Sequence, residues 1–592
     1  LYDKSSMIAI NEPGSMFYFY VPHPRLWWCN GMGKPNLYEF TCEFTIGKQV
    51  ISEKVAFGIR IIELAVQPDH FGTSFSFVLN DRPVFIKGAS WIPADNFLPR
   101  VTTEKYYMLL KGAQESHMNM MRVWGGGVYE DDRFYNICDS LGIMVWQDFM
   151  FAEGMYPADL HFQQMVSLEV RQQFFRLSEH PSVSIWCGNS GSTDSWKNNR
   201  SEKGRGITPA DSAKIVAGYN KLFLEEIRKI VKTADRNAIY WPASPTAEAD
   251  NVAAFRNGDV QYRGVWWGMD PLKSYETYVG RFMSGYGFQA LPSMISIREF
   301  AGNCNSLNDT WLKNHQKHPG GFERIAEYML RDYPVPDTFC NYVYVSQLVQ
   351  SDGISRAIQA HRRNRPYCMG TLFWQYNDCW PATSWSTVDY FGRPKLLQYA
   401  LKELYAPVLV SVEEENDSVF VYIVNDDTST HAGTISFRYM NFDGTILNEG
   451  QVPAVALHGT SSIPLVFKRS FFMDSAITVN GVLSLVFYYE NEQTVRRVHY
   501  FDSPKNLQLP KNPGLKIIVT PSSVSGTFFI SITTKQLAKS VYITLDGQDA
   551  RFSENGFDLL PGEERIVTLT GDFEKSEIEN SLVLLSLNAL AN

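Results

Sequence analysis

Two hydrophobic periods in one chain predict a multidomain protein: a central (β/α)8 TIM barrel flanked by immunoglobulin-like β-sandwich domains. Toward both ends, apolar and polar residues alternate with period two, as in strands that bury one face. Between residues 67 and 405, helix-period segments alternate with short apolar strands, as in βαβ units with a parallel sheet. The length of 592 residues leaves room for several cores.

Residues 1–66 carry the runs FYFYV, LYEFTCEFTI and KVAFGIRIIEL, separated by turns such as HPRLWWCNGMGKPN. They read as part of an antiparallel sandwich with too few strands to close. The domain is therefore expected to be incomplete, with N-terminal sequence missing.

In residues 67–405, FSFVLNDRPVFIKGASW still reads as strands. TTEKYYMLLKGAQESH is a helix with a Thr-Thr-Glu start. MNMMRVWGG is a strand ending in glycines, and DDRFYNICDSLG is a helix stopping at Gly142. IMVWQDFMF, SVSIWCGN, AIYWPAS, GVWWG, RFMSGYGF and GTLFWQYND continue the strands. QMVSLEVRQQFFRLSEH, KIVAGYNKLFLEEIRKIV and FERIAEYMLRDY continue the helices, and the pattern stops near KLLQYALKELYAPV. Many strands with helices between them suit a barrel with insertions.

Beyond residue 406, PVLVSVEEENDSVFVYIVNDDT, GTISFRYMNFDG and VLSLVFYYEN return to period two, with Asn-Asp and Asp-Gly turns. A change at NLQLPKNPGLKIIV opens a further β segment. Two sandwiches are expected, 406–509 and 510–592.

Composition narrows the function classes. Charged residues make up 20% and the net charge is −9, which argues against a nucleic-acid partner. The eight cysteines form no CxxC pair and no histidine–cysteine cluster, which argues against structural zinc. Cys187 and Cys340 lie in apolar runs and read as buried thiols. No apolar run is long enough to span a membrane. No signal peptide is visible, but the chain opens on LYDKSSMIAINEPG without a methionine. A secreted, periplasmic or lysosome-like compartment therefore stays open, as does the oligomeric state.

A barrel of this kind places its active site where the strands end. The second strand ends in Arg122-Val123-Trp124-Gly125-Gly126-Gly127, the third in Trp146-Gln147-Asp148, and the fourth in Trp186-Cys187-Gly188-Asn189-Ser190-Gly191. Later strands deliver Trp266-Trp267-Gly268, Ser284-Gly285-Tyr286-Gly287 and Trp374-Gln375-Tyr376-Asn377-Asp378. Tryptophan recurs at these ends beside Asn, Arg and Asp. Such a set suits a pyranose, whose C–H faces stack and whose hydroxyls need hydrogen bonds. Each residue also has a plainer reading. Gly125–Gly127 lacks the spacing of a phosphate loop and reads as a turn. Asp148 reads equally as a cap, and one of Trp266 and Trp267 as packing.

The stretches LWWCNGMGKPNLY, FIKGASWIPADNFLPR, MMRVWGGGVYE, MVWQDFMFA, HPSVSIWCGN, RFMSGYGFQALPSM, HQKHPGG and GTLFWQYNDCWPATSWSTVDYFGRPK together resemble glycoside hydrolase family 2. VWGGG and NDCWPATSWS favour its β-mannosidase branch over β-galactosidase- or β-glucuronidase-like relatives. The resemblance implies exo-cleavage of terminal β-D-mannosyl residues with retention, needing no cofactor and no metal. It places a glutamate general acid/base after the fourth strand and a glutamate nucleophile after the seventh. Here those positions are Gly191 and Gly285, and Ser190 stands where the family carries asparagine. The sugar cradle it implies comprises Trp124, Asp148, Asn189, Ser190, Trp196, Trp266, Tyr286, Trp374 and Asp378. Binding of a β-mannoside or related oligosaccharide with impaired turnover is expected. A non-catalytic glycan-binding protein is the alternative. Glu153 and Glu299 are nearby carboxylates, but a retaining pair must sit about 5–5.5 Å apart across the scissile bond.

Overall fold

A computed structural model describes residues 20–157, 159–191, 208–246, 252–471, 479–490 and 493–590. Eight parallel strands form the central sheet: Ile86–Trp91, Met120–Val123, Met144–Asp148, Val183–Cys187, Tyr240–Trp241, Val260–Gln261, Met283–Gly285 and Gly370–Phe373. Numbered along the chain, they lie side by side in the order 5-4-3-2-1-8-7-6. The eighth strand pairs with the first, Phe373 opposite Ala89. The fifth and sixth are linked where the Thr246 N–H donates to the Asp259 carbonyl at 3.2 Å. This is the expected TIM barrel.

Local chemistry accounts for the helix limits. Helix Thr103–Glu115 starts where the Thr102 side chain accepts from the Lys105 N–H. Helix Asp132–Leu141 is capped by Asp131 and stops at Gly142, whose φ of 73° is left-handed. Helix Leu160–Leu177 follows the third strand, and a helical run from Pro209 to Ala234 follows the fourth.

Two expectations are corrected. GVWWG is a turn, and the sixth strand is Val260–Gln261 just before it. FSFVLNDRPVFIKGASW forms strands as expected, the hairpin Ser76–Leu79/Arg82–Val84 followed by the first barrel strand. Phe75 and Phe77 pack their rings on Trp146 and Phe282 of the barrel. Cys187 is buried as expected, but Cys340 is exposed on helix Phe339–Arg363. At the N-terminal side, Tyr38–Ile46 and Gln49–Phe57 form a two-stranded hairpin.

After the barrel, strands Val408–Glu415, Ser418–Asn425 and Ser461–Lys468 form one sheet of a sandwich. Ile446–Ala456, His431–Asn441, Gly481–Tyr489 and Gln493–His499 form the other. Asn416 and Asp417, at φ 47° and 65°, make the two-residue turn between Glu415 and Ser418. A second sandwich runs from Lys516–Pro521 to Leu582–Leu585.

Barrel and first sandwich share a buried ionic junction. Asp426 accepts from Arg362 at 2.8 Å, pairs with Arg365, and lies 3.5 Å from Lys87 of the first barrel strand. Burial alone would raise this carboxyl, but Arg362, Arg365 and Lys87 hold it at about 2. Among the described residues no helix is long and apolar enough to cross a membrane.

Candidate active site

The barrel mouth rests on a buried polar floor. Arg122, on the second strand, donates through Nε and Nη2 to Asp148 Oδ2 at 3.2 and 3.1 Å. Trp146 Nε1 donates to Asp148 Oδ1 at 2.9 Å, and the Gly125 N–H to Oδ2 at 3.1 Å. Burial pushes the Asp148 carboxyl up and Arg122 opposes that rise. Arg122 Nη1 also donates to Ser244 Oγ at 2.8 Å and to the Ser284 carbonyl at 3.3 Å. The Ser244 and Ser284 hydroxyls each donate to Asp259 Oδ2 at 2.6 Å, and Trp241 Nε1 donates to its Oδ1 at 2.8 Å. The floor thus joins residues on or beside the second, third, fifth, sixth and seventh strands.

Above it stand the two glycines. Gly191 follows the fourth strand and its N–H donates to the Ser244 carbonyl at 3.0 Å. Gly285 ends the seventh strand, and its carbonyl accepts from the Tyr262 N–H at 2.9 Å. The Ser244 and Ser284 hydroxyls lie 3.2 Å apart. Two hydrogen-bonded steps and one peptide link therefore connect positions 191 and 285, far apart in the chain, at the same mouth.

The remaining sequence-selected residues divide into three groups. Trp124 and Trp374 pack edge to face, ring centroids 4.9 Å apart, and stay partly exposed. The Trp374 N–H donates to the Tyr286 carbonyl beside Gly285, so this pair borders the glycines. Asn189 and Ser190 are buried under the rim: Asn189 Nδ2 donates to the Pro242 carbonyl at 3.0 Å and to Tyr219 Oη at 3.1 Å. Asp378 is buried too, accepting from Ser386 Oγ at 2.6 Å and Gln375 Nε2 at 3.1 Å. Burial raises its carboxyl to about 6, with Lys395 pulling the other way.

Three residues do not face the cleft as the cradle expected. Asp148 has no exposed surface, and its oxygens are taken by Arg122, Gly125 and Trp146. Trp266 is fully buried against Phe288, His318 and Trp385, whereas Trp267 is 54% exposed. Tyr286 bonds Thr371 Oγ1 at 2.6 Å and packs on His361 of the long helix, behind the sheet. Trp196 lies outside the described residues.

Sequence reasoning missed two neighbours of the glycines, Gln261 and Arg263. Arg263 Nη2 donates to Gln261 Oε1 at 3.2 Å and lies 3.6 Å from Glu153 Oε1. A Cβ placed on Gly191 would sit 3.3 Å from Glu153 Cγ and 3.6 Å from Arg263 Nη2. One placed on Gly285 would sit 2.9 Å from Gln261 Cγ. The signal lay in the polar pair of VQYRG directly after an apolar strand start. Glu299 is remote in role, paired with Arg393 at 2.8 Å.

Comparison with known proteins gives a consistent picture. Residues 3–60 match the family model "Glycosyl hydrolases family 2", residues 417–506 the "Mannosidase Ig/CBM-like domain", and residues 511–590 an "Ig-fold domain" of mannosidases. Beta-mannosidase B of Aspergillus clavatus is 30% identical over 598 residues, covering 95% of this chain and 69% of the relative. The beta-mannosidase of Capra hircus is 30% identical over 613 residues, covering 95% and 67%. The crystal structure of a β-D-mannosidase from Dictyoglomus thermophilum superposes with a TM-score of 0.83 at 30% identity, over 95% of this chain and 68% of that one. An exo-chitosanase from Amycolatopsis orientalis shares the fold at TM-score 0.72 and 18% identity, over 96% and 70%.

Proposed function

Since the chain belongs to glycoside hydrolase family 2, in its β-mannosidase branch, we propose that its barrel cleft binds a terminal β-D-mannosyl residue with little or no turnover. The observation that carries this reading is the meeting of Gly191 and Gly285 at one mouth, with no ionisable side chain of their own. The family resemblance assigns the acid/base and the nucleophile to those two positions. General acid catalysis contributes about 10²–10⁴-fold, and loss of the nucleophile removes the covalent route altogether. Glu153 offers one carboxylate near position 191, and a retaining displacement needs two.

The rest of the cleft fits a sugar. Trp124 and Trp374 offer apolar faces to its C–H groups. Asn189, Ser190 and Asp378 support the rim through the hydrogen bonds given above. Arg122 and Asp148 act from beneath, fixing the strand ends. These roles are part of the same proposal, and no cofactor enters them.

Calorimetry with β-1,4-mannobiose and methyl β-D-mannoside, paired with product analysis, tests it. Binding without release of mannose over days is the expected result. Steady release of mannose by the unaltered chain would overturn it. Binding of galactosides but not mannosides would move the ligand to another branch.

A further inference from the structure

The space beside the two glycines holds side chains from other strands. Glu153, after the third strand, is pinned to the fourth-strand loop: its N–H donates to the Ser190 carbonyl at 2.9 Å. Its φ of 51° is left-handed, an uncommon state for a glutamate. Its Cγ lies against position 191 and its carboxylate faces Arg263. Arg263 reaches Gln261, and the Gln261 side chain lies against position 285. One polar run, Glu153–Arg263–Gln261, therefore connects position 191 to position 285. Both charged members are open to solvent, the Arg263 side chain at 40% and the Glu153 side chain at 57%.

We propose that Glu153, Arg263 and Gln261 form a bridge that binds the hydroxyls of a neutral terminal pyranose where the catalytic carboxylates would stand. This rests on the glycan-binding reading above and adds the groups that hold the ligand. The chemistry favours a neutral sugar. Guanidinium, carboxylate and primary amide are planar groups with two or more donors or acceptors each, suited to gripping adjacent hydroxyls. The charges of Arg263 and Glu153 offset each other. A sugar carboxylate would meet Glu153, and an amino sugar would meet Arg263. The Trp124–Trp374 pair beside Gly285 supplies an apolar face for the same ring.

The bridge also bears on the missing reaction. A hydrolysing site stabilises a ring that gains positive charge in the transition state. Because Arg263 and Glu153 offset each other, the bridge supplies none of the net negative charge that two catalytic carboxylates would place there, while it leaves a neutral ground-state sugar undisturbed.

The test is calorimetric titration of the full chain with methyl β-D-mannoside. Arg263→Ala, Glu153→Ala and Gln261→Ala are titrated in parallel, and thermal melting checks each fold. Arg263→Ala is expected to weaken binding at least tenfold, and Glu153→Ala or Gln261→Ala at least threefold, with melting temperatures little changed. Methyl β-D-glucuronide is expected to bind more weakly than the mannoside. Undiminished mannoside binding in all three folded variants would overturn the bridge and leave the glycan-binding reading standing. Tighter binding of the glucuronide would overturn the preference for a neutral ligand. No binding of any sugar by the unaltered chain would overturn both proposals together.

Discussion

The floor of the barrel mouth and its rim, one layer apart, obey different rules. On the floor, Arg122 and Asp148 are 1% and 0% exposed; Asp148 accepts from Trp146 and Gly125, and Arg122 donates to Ser244 and Ser284. On the rim, Arg263 and Glu153 are roughly half-exposed and 3.6 Å apart, a loose pair beside two glycines. Buried charges need every partner, because an unpaired one carries the full desolvation penalty. Half-exposed charges can be exchanged at small cost to stability. A scaffold with such a division can keep its fold while half-exposed residues change, and the boundary here falls between those layers.

Four changes test that boundary, from the largest expected effect to the smallest. Asp148→Ala strands the buried Arg122 guanidinium and should cost about 3–5 kcal/mol in chemical denaturation. A loss under about 1 kcal/mol would show that the floor is not the rigid layer.

The second concerns Asp378, whose carboxyl burial raises from the ordinary 3.8 to about 6. The folded chain then binds this proton more tightly than the unfolded chain does. Stability gained from that proton is full below about pH 4 and is lost as pH rises through about 6. Relative to Asp378→Asn, the unaltered chain should gain melting temperature as pH drops from 6 to 4. A flat difference across that window would contradict the buried assignment.

Third, Gly285→Glu drives its Cβ to 2.9 Å from Gln261 Cγ. Overpacking of this kind costs about 1–3 kcal/mol, and adding Gln261→Gly should recover most of it. The same crowding predicts weak azide rescue of aryl β-mannoside cleavage in the unaltered chain, and stronger rescue in Gln261→Gly. Equal rescue in both would mean Gln261 does not fill that space. Smallest of all, Arg263→Ala should change unfolding free energy by about 0–1 kcal/mol. A larger loss would place Arg263 with the floor.

Much of this was legible in the chain itself, because periodicity reports burial. Helix Asp132–Leu141 ends at Gly142, and the Asn416-Asp417 turn has both residues at positive φ. Strand ends rich in Trp, Arg and Asp led to the mouth. The misreadings share a cause in short elements. Val260–Gln261 is two residues long, too short to show a period, so GVWWG took its place. The pairing of the sixth and seventh strands shifts register between Val260 and Gln261, and near that break Tyr286 turns outward to Thr371. Trp266 and Trp267 sit in a turn, where no repeat tells which ring is inside. Arg263 and Gln261 left only the polar pair of VQYRG as a sequence signal, and the fold is what sets them beside glycines from the fourth and seventh strands.

The Asp426 junction makes the barrel and the adjoining sandwich energetic partners. One carboxylate from the sandwich offsets Lys87, Arg362 and Arg365 on the barrel side. Excising the sandwich would leave three cations crowded together with no counter-charge. The two folds are therefore expected to melt in a single cooperative transition, and proteolysis between them should liberate fragments that aggregate instead of a working barrel.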